Sequence, residues 1–381
     1  MLKHQPLFIN PDLAHDLDTI RAGEIENEEA LAKLAELLQA ALQLEFATIP
    51  VYLSAAFSLG NENESIRNVI VRVAIEEMLH FTVVANLLTA IGESPDVAGS
   101  IPSYPKNITI VDPPLHLELR SYSDNLVRDL FMRIETPEEP IPFTAEGEVP
   151  PKTVGLFYDQ IIEIIEGDLI PELLDQAETT QGKQITGIAP RFREVAYLNN
   201  EDSERYSLPD DIDFFIKDKA SAVRHLKWIV DQGEGTSKND TDPIAESGLP
   251  AHYYRFTSIL KRKWLVADQN AEKKYSYSGG DLNFDPNDVH QFDDNVVSAD
   301  FEAHEYLFEE MVAFEALYHR MNNHLENAFN SAPPANAEAY DAAMQSMRSM
   351  WGVVSSIIAE AKDSGVKAGV PMHKAAVNIR A

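Results

Sequence analysis

Residues 30–59 read ALAKLAELLQAALQLEFATIPVYLSAAFSL, and this stretch decides the fold class. It predicts a helix from about residue 28 to 59, because its inward-facing residues recur at spacings of three and four. The seam passes through Leu31, Leu34, Leu38, Ala41, Glu45, Thr48 and Tyr52. Glu45 therefore stands in the middle of an apolar stripe, where a carboxylate must be paired, protonated or bound to a cation.

A second helix is predicted from about residue 65 to 91, with Gly92 as its terminator. Its seam consists of Ile66, Ile70, Val73, Glu77, His80, Val84, Leu87 and Ile91. Glu77 and His80 are three residues apart, so both point in the same direction as the apolar residues. Glu76 lies about 100° around the helix, on a row with Arg72. We expect Glu76 to face outward or to support a metal ligand from behind.

These acids and the histidine predict half of a metal centre. In a di-metal carboxylate bundle, two helices each supply a glutamate and two others each supply a Glu-x-x-His pair. Carboxylates bridge and neutralise divalent cations, and imidazoles add directional nitrogen ligands. Neither seam carries a Lys or Arg that could neutralise Glu45 or Glu77 instead. We therefore predict Glu45, Glu77 and His80 as metal ligands.

The second half of the site is less regular in sequence. A third helix, about 153–176, offers Glu163 and Glu166 within an apolar run; Glu163 is preferred, although both could face water. A fourth helix, about 213–232, is followed by Glu234 between two glycines, and His252 comes 18 residues later. Glu234 is a candidate ligand or a solvated loop acid. His252 is a candidate ligand or a core histidine, with His225 as its rival.

Composition excludes several other classes of site. The chain carries 31 Lys and Arg against 62 Asp and Glu, so its net charge of −31 disfavours nucleic acid and anionic membranes as partners. It contains no cysteine, which excludes thiolate ligands and iron–sulfur clusters. Neither a secretory signal nor an 18-residue apolar run is visible, so we expect a cytoplasmic protein.

The organisation predicted along the chain is mainly α. Residues 1–27 form an irregular lead-in, and residues 28–260 form a four-helix bundle. Ten of the 22 prolines fall within residues 93–152, which predicts a long insertion that covers the site. Residues 261–365 contribute a loop and two C-terminal helices, about 298–329 and 336–363, that pack on the bundle or form a homodimer face. Residues 366–381 are expected to be a loose tail.

Several short motifs resemble the ferritin-like domain of the iminophenyl-pyruvate dimer synthase family, some of whose members act in violacein- and rebeccamycin-type indole pathways. They are residues 44–53 (LEFATIPVYL), 76–80 (EEMLH), 86–92 (NLLTAIG), 133–137 (RIETP), 155–158 (GLFY), 232–235 (QGEG) and 252–256 (HYYRF). The resemblance covers about residues 28–260. It implies a ferritin-like four-helix bundle with a non-haem metal centre, strengthens Glu234 and His252 as ligands, and adds Glu135 as a candidate.

The expected function is a non-haem oxidoreductase that uses oxygen or peroxide on a small organic substrate, such as an amino-acid-derived amine or imine. The expected metal is iron, as two ions, with manganese or zinc as alternatives and one ion not excluded. Tyr158, Tyr253 and Tyr254 are predicted to line the cavity as catalytic residues. Two other functions stay open: a ferroxidase-like metal-binding protein without an organic substrate, and a scaffold with a vestigial site.

Overall fold

The computed structural model describes residues 27–137, 153–168, 170, 183–186, 214–234, 243–245, 249–271 and 274–374. The fold is mainly α, as predicted. Helix α1 (Asn27–Phe57) and helix α2 (Glu64–Ala90) form its centre. Phe46 of α1 packs edge-on against Phe81 of α2, with ring centroids 5.6 Å apart. The two helices thus lie side by side, as their complementary apolar seams require.

The described part of the proline-rich insertion runs along α1 as short elements and contacts that helix from Gln39 through Ala47 to Ser54. It contains α3 (Val97–Ser100) and an antiparallel hairpin of β1 (Lys106–Ile108) and β2 (Leu115–Leu117), in which Lys106 pairs with Leu117. The helical segment α4 follows, with Asp124–Leu126 and Met132–Ile134 on either side of a π-helical turn, Val127–Phe131. Such turns often occur at functional sites, and Glu135 lies one helical turn after this one, at the end of Met132–Ile134.

The second half of the bundle contains three more helices, α5 (Val154–Glu166), α6 (Lys219–Glu234) and α7 (His252–Lys261). Helix α6 starts six residues later than predicted, because Asp218 caps it. The Asp218 Oδ1 atom accepts a hydrogen bond from the Ser221 backbone N–H at 2.7 Å. A small antiparallel pair, β3 (Val266–Ala267) with β4 (Tyr275–Ser276), follows α7.

Two long helices, α8 (Glu305–Asn330) and α9 (Ala335–Ser364), pack against each other and against the central pair. Aromatic contacts join the layers: Phe57 of α1 meets Trp351 of α9 at 4.6 Å, and Phe81 of α2 meets Phe329 of α8 at 5.6 Å. The predicted start of α8 at residue 298 is wrong, because Ser298–Phe301 forms a separate 3-10 turn.

The segment after α9 is not the loose tail that the sequence suggested, at least as far as residue 374. Ala368, Val370 and Met372 are buried, and the His373 side chain hydrogen-bonds to the Val296 carbonyl. All of residues 368–373 are buried, so this segment is packed on every side rather than on alternate positions. Residues 375–381 lie outside the described part of the chain.

The helices at the centre are apolar and long. Residues 28–57 and 61–90 each have the length and hydropathy of a membrane-spanning helix, but 89% and 100% of their most apolar windows are buried inside the protein. Their apolar residues thus form the core of the bundle.

Candidate metal centre

The first group of ligand atoms comes from the two central helices. Glu45 of α1 and Glu77 and His80 of α2 offer atoms that all lie within 4.8 Å of one another. Their exposed fractions are 3%, 4% and 2%. The seam periodicity explains this placement, because each residue occupies a position where the helix would otherwise present a leucine. We call this group the His80 position.

The second group shares Glu77 with the first. It joins Glu77 to Glu135, which follows α4, and to His252, the first residue of α7. His252 is fully buried, and Glu135 is 6% exposed. We call this group the His252 position. It is assembled from the ends of short elements rather than from the face of a long helix.

The two histidines approach the same carboxylate oxygen. The distance from Glu77 Oε1 is 3.5 Å to His80 Nδ1 and 3.1 Å to His252 Nδ1. The imidazole rings are stacked, with centroids 5.7 Å apart. Among the described residues, however, the two histidines do not fall into one group of mutually close ligand atoms. The Glu77 carboxylate is therefore placed to bridge two neighbouring positions.

The second ring nitrogen of each histidine has its own partner. His80 Nε2 lies 2.9 Å from Gln232 Oε1, and His252 Nε2 lies 2.8 Å from Glu76 Oε2. These contacts leave both Nδ1 atoms facing the carboxylates. A fixed outer nitrogen with a free inner one is the usual arrangement of metal-binding histidines.

Glu76 is itself held by two buried arginines. Arg72 Nε donates to its Oε1 at 3.0 Å, and an Arg255 terminal nitrogen donates to its Oε2 at 2.6 Å. Burial raises the pKa of the Glu76 carboxyl, but Arg255, His252 and Arg72 outweigh burial and hold that pKa well below its ordinary value. Glu76 is thus a buried anion that supports His252 from behind, one of the two roles expected for it.

Two tyrosines hydrogen-bond to Glu45 and Glu135, which belong to one group each and which we call the outer glutamates. The Tyr158 hydroxyl donates to Glu45 Oε1, and the Tyr52 hydroxyl donates to Glu135 Oε1 at 2.6 Å. The Thr48 hydroxyl has one proton to share between the Glu45 backbone carbonyl at 2.9 Å and Glu77 Oε2 at 3.2 Å. Glu45 and Glu135 therefore each have a tyrosine hydroxyl donor that fixes the carboxylate.

The electrostatics of the groups are those of a site that holds cations. Burial, with the nearby charge of Glu77, raises the pKa of Glu45 to about 7. Burial and Glu77 also raise the pKa of Glu135. Burial lowers the pKa of His80, but Glu45 and Glu77 outweigh it and set that pKa at about 10. Protons on the carboxyl and imidazole groups thus take the place that metal cations would fill.

The donor set also fits a metal on geometric grounds. His252 Nδ1 is buried and makes no hydrogen bond, although it lies 3.1 Å from a carboxylate oxygen. A buried, unsatisfied nitrogen normally has a functional reason. In addition, the described site contains four buried carboxylates, Glu45, Glu76, Glu77 and Glu135, against two guanidinium groups. Divalent cations bound by nitrogen and oxygen ligands would satisfy both the nitrogen and the charge.

A cavity opens beside the His80 position. Its volume is about 30 Å³, close to that of one water molecule, and it reaches Glu45, Glu77, His80, Glu135 and Tyr158. Its remaining wall is largely apolar and comes from Leu44, Ile134, Val154, Ile229 and Val230, together with Gly155 and Gly233. The candidate ligands therefore border a small, mostly apolar internal space.

A sequence model described as ferritin-like matches residues 38–261, which is more than half of the chain. The chain belongs to the ferritin-like family. The crystal structure of a ferritin-like protein from Caulobacter vibrioides is similar to it, at 20% sequence identity and a TM-score of 0.46, over 84% of this chain and 95% of that one. No curated protein matches the sequence.

The structure brings some of the predicted ligands together and leaves others outside the site. Glu45, Glu77, His80 and His252 come together, and Glu135 joins them. Glu163, however, is exposed on α5 and lies outside both groups. Ile161, Ile162, Ile164 and Ile165 are all buried, so the helix turns Glu163 and Glu166 to the solvent side. Helix α6 ends at Glu234, but the side chain of Glu234 is outside the described part of the protein.

Of the three tyrosines predicted to line the cavity, one does so. Tyr158 lies in the site, but Tyr253 and Tyr254 do not line the cavity. They pack edge-on against each other, beside Leu265, Tyr275 and Tyr277. The reason is helical geometry: once His252 points at Glu77, the next two residues are turned away by about 100° and 200°. The rival His225 packs on Phe214, away from the two groups.

Sequence reasoning missed some supporting residues of this ferritin-like site. Tyr52 lies on the same seam as Glu45, so the seam indicated that Tyr52 faces the site. It did not indicate that Tyr52 bonds to Glu135. Arg255 follows His252 by three residues, on the same face of α7. Gln232 begins the QGEG motif at residues 232–235, but nothing in the sequence indicated that its side chain contacts His80.

Proposed function

We propose that this chain is a non-haem di-iron oxidoreductase. The observation that carries the proposal is the pair of ligand groups on two sides of one Glu77 oxygen. Iron is the metal that best suits a mixed imidazole and carboxylate set without cysteine, and manganese or zinc are the alternatives. Two ions match two groups, each with one histidine and one outer glutamate.

Bound iron would supply the electrons and the coordination site for activating oxygen or peroxide. The residues of the chain hold that centre in place: Tyr158 and Tyr52 orient the Glu45 and Glu135 carboxylates, and Gln232 and Glu76 orient the histidines. The adjacent cavity is small and mostly apolar, so it would limit the water near the centre and protect reactive species from side reactions.

An organic substrate would require the cavity to widen. Its volume of about 30 Å³ is below the roughly 300–1,000 Å³ of small-molecule sites, but its apolar wall faces the His80 position, where such a substrate would meet the metal. The sequence motifs that resemble the iminophenyl-pyruvate dimer synthase family favour an amino-acid-derived amine or imine. That family assignment, the substrate class and a cytoplasmic location are parts of the proposal.

Metal content tests the proposal first. Protein loaded with Fe²⁺ without oxygen, and then freed of unbound metal, should retain two iron ions per chain. Glu77→Gln should abolish this binding, because it removes the shared carboxylate. Glu163→Gln is the matched control, since that glutamate is exposed, and it should bind iron like the unmodified protein. Iron content below about 0.2 per chain in unmodified protein would contradict the proposal.

Oxygen consumption tests the reaction. The iron-loaded protein should consume oxygen or peroxide faster in the presence of a suitable aromatic amine or imino acid, and mass spectrometry should find that compound oxidised. A ferroxidase-like protein would instead oxidise many Fe²⁺ ions per chain and leave every organic compound unchanged. That second result would replace the oxidoreductase with a metal-handling function.

A further inference from the structure

We infer that the two metal positions are inequivalent, and that the His252 position fills before the His80 position. This inference rests on the proposed metal-binding function and deepens it. It concerns how the residues behind the two histidines set metal affinity. The ligands themselves are closely matched, because each position has one imidazole Nδ1, one outer glutamate and a share of Glu77.

The outer glutamates do not distinguish the positions. Glu45 and Glu135 each accept a hydrogen bond from a fully buried tyrosine, Tyr158 and Tyr52 respectively. Both carboxylates are therefore held by the same kind of donor. A difference in affinity has to come from elsewhere.

The partners of the histidines differ in charge. His252 Nε2 contacts the Glu76 carboxylate at 2.8 Å, whereas His80 Nε2 contacts the neutral Gln232 amide at 2.9 Å. An ionised acceptor draws the N–H proton more strongly, which makes the opposite ring nitrogen a better electron donor to a metal. His252 Nδ1 is thus the stronger ligand.

The partners also differ in how firmly they are held. Glu76 is fully buried and bonded to Arg72 and Arg255. Gln232 is 1% exposed, but its amide nitrogen makes no hydrogen bond. Gln232, the partner of His80, is therefore held only through its amide oxygen. Glu76, the partner of His252, is held through both of its carboxylate oxygens. A ligand that is held in advance loses less entropy when the metal binds.

The arginines oppose this preference in part. Arg72 and Arg255 carry two positive charges, of which Glu76 cancels one, and a residual positive charge repels a cation. This repulsion is felt more at the His252 position, because Arg255 bonds to the same Glu76 oxygen that His252 contacts. The hydrogen bond from His252 acts on one ligand alone. Changes to such supporting partners alter metal affinity by roughly 10–100-fold, so the support of His252 decides the order.

Cobalt titration tests the order without using activity. Calorimetry with Co²⁺, which is stable in air, should resolve two binding steps whose Kd values differ by roughly tenfold or more. Anomalous diffraction from crystals with one Co²⁺ per chain should place most of the metal between Glu77, Glu135 and His252. Equal occupancy, or metal mainly between Glu45, Glu77 and His80, would overturn the inference.

Two substitutions test whether the partners of the histidines set the order in which the positions fill. Gln232→Glu gives His80 a charged partner, so the weaker Kd should fall by roughly tenfold and the two steps should merge. Glu76→Gln should weaken the tighter step, if the buried arginines still allow the protein to fold. Glu163→Gln should change neither step. An unchanged ratio of Kd values in Gln232→Glu would overturn the inference, while absence of any Co²⁺ or Fe²⁺ binding in unmodified protein would refute the proposed function as well.

Discussion

His373 shows how a single side chain can set the pH response of this protein. Its Nδ1 accepts a hydrogen bond from the Tyr104 backbone N–H at 3.2 Å, and its Nε2 lies 2.9 Å from the Val296 carbonyl. Burial lowers the pKa of the His373 imidazole, against smaller opposing effects from Val296, Glu315, Asn295 and Asp300. The neutral form is therefore the one that fits the folded protein.

The sign of the pH effect follows from this lowered pKa. The unfolded chain takes up a proton on His373 near pH 6.5, before the folded chain does, so protons favour unfolding. The contribution of His373 to stability is present above pH 6.5 and is lost as the pH falls through its folded pKa. We predict that His373→Gln reduces the drop in unfolding temperature between pH 7.5 and pH 5.5.

The control for this prediction is His116→Gln, because His116 is exposed, with 56% of its side chain accessible. That substitution should leave the pH dependence of the unfolding temperature unchanged. Equal drops in unmodified protein and in His373→Gln would show that His373 does not contribute.

The residues of the candidate site were predictable from sequence to different degrees. Glu45, Glu77 and His80 interrupt long apolar seams, so periodicity alone located them. Glu135 and His252 lie at the ends of short elements, where no periodicity exists. His252 was one of two open alternatives until the family resemblance strengthened it, and Glu135 came from the resemblance alone. Glu163 was predicted wrongly, because an acid inside an isoleucine run could face either side until the burial of the helix was known.

Helix α6 is the element that brings backbone close to the site. A Cβ atom on Gly233, near its end, would lie 3.2 Å from Glu135 Oε2, which is tighter than an ordinary contact. Gly233→Ala should therefore displace the Glu135 carboxylate. We predict that metal affinity at the His252 position falls by roughly tenfold, as for other changes to residues that hold ligands.

The same substitution should leave the fold intact. Alanine is preferred over glycine within helices, so the unfolding temperature of metal-free Gly233→Ala should not fall. Gly352→Ala in α9 is the matched control, because a Cβ atom there meets nothing within 4 Å. It should stabilise the protein by roughly 0.5–1 kcal/mol without affecting metal binding. Unchanged metal affinity in Gly233→Ala would contradict the close approach to Glu135.

The long elements were the most predictable part of the fold. The four long helices α1, α2, α8 and α9 have strong periodicity, and the sequence located them within a few residues, apart from the early start predicted for α8. The starts of α6 and α8 were misplaced, because a local cap at Asp218 and a 3-10 turn at Ser298–Phe301 override the general composition. Side-chain hydrogen bonds of this kind are decided by local geometry rather than by pattern.

The whole molecule should respond to metal through its stability. A metal that binds the folded chain but not the unfolded one stabilises it by about 2.7 kcal/mol at a free concentration of 100 times Kd. We predict that Fe²⁺ or Co²⁺ raises the unfolding temperature of the unmodified protein and of Glu163→Gln. The same ions should have no such effect on Glu77→Gln. A similar rise in Glu77→Gln would place the binding on the acidic surface instead.

The net charge of −31 also affects the stability of the whole molecule. Repulsion among surface carboxylates opposes the compact state, and salt screens it, since the Debye length falls from about 30 Å at 0.01 M to about 10 Å at 0.1 M. The unfolding temperature of metal-free protein should therefore rise between these salt concentrations. A fall would mean that attractive ion pairs dominate the surface.

The central claim is that the ferritin-like bundle holds two metal ions, one on each side of Glu77. Anomalous diffraction at the iron absorption edge, from crystals of fully iron-loaded protein, tests it most directly. The account predicts two peaks, one between Glu45, Glu77 and His80 and one between Glu77, Glu135 and His252. A map without peaks there, or with a single peak bound by both histidines, would contradict it.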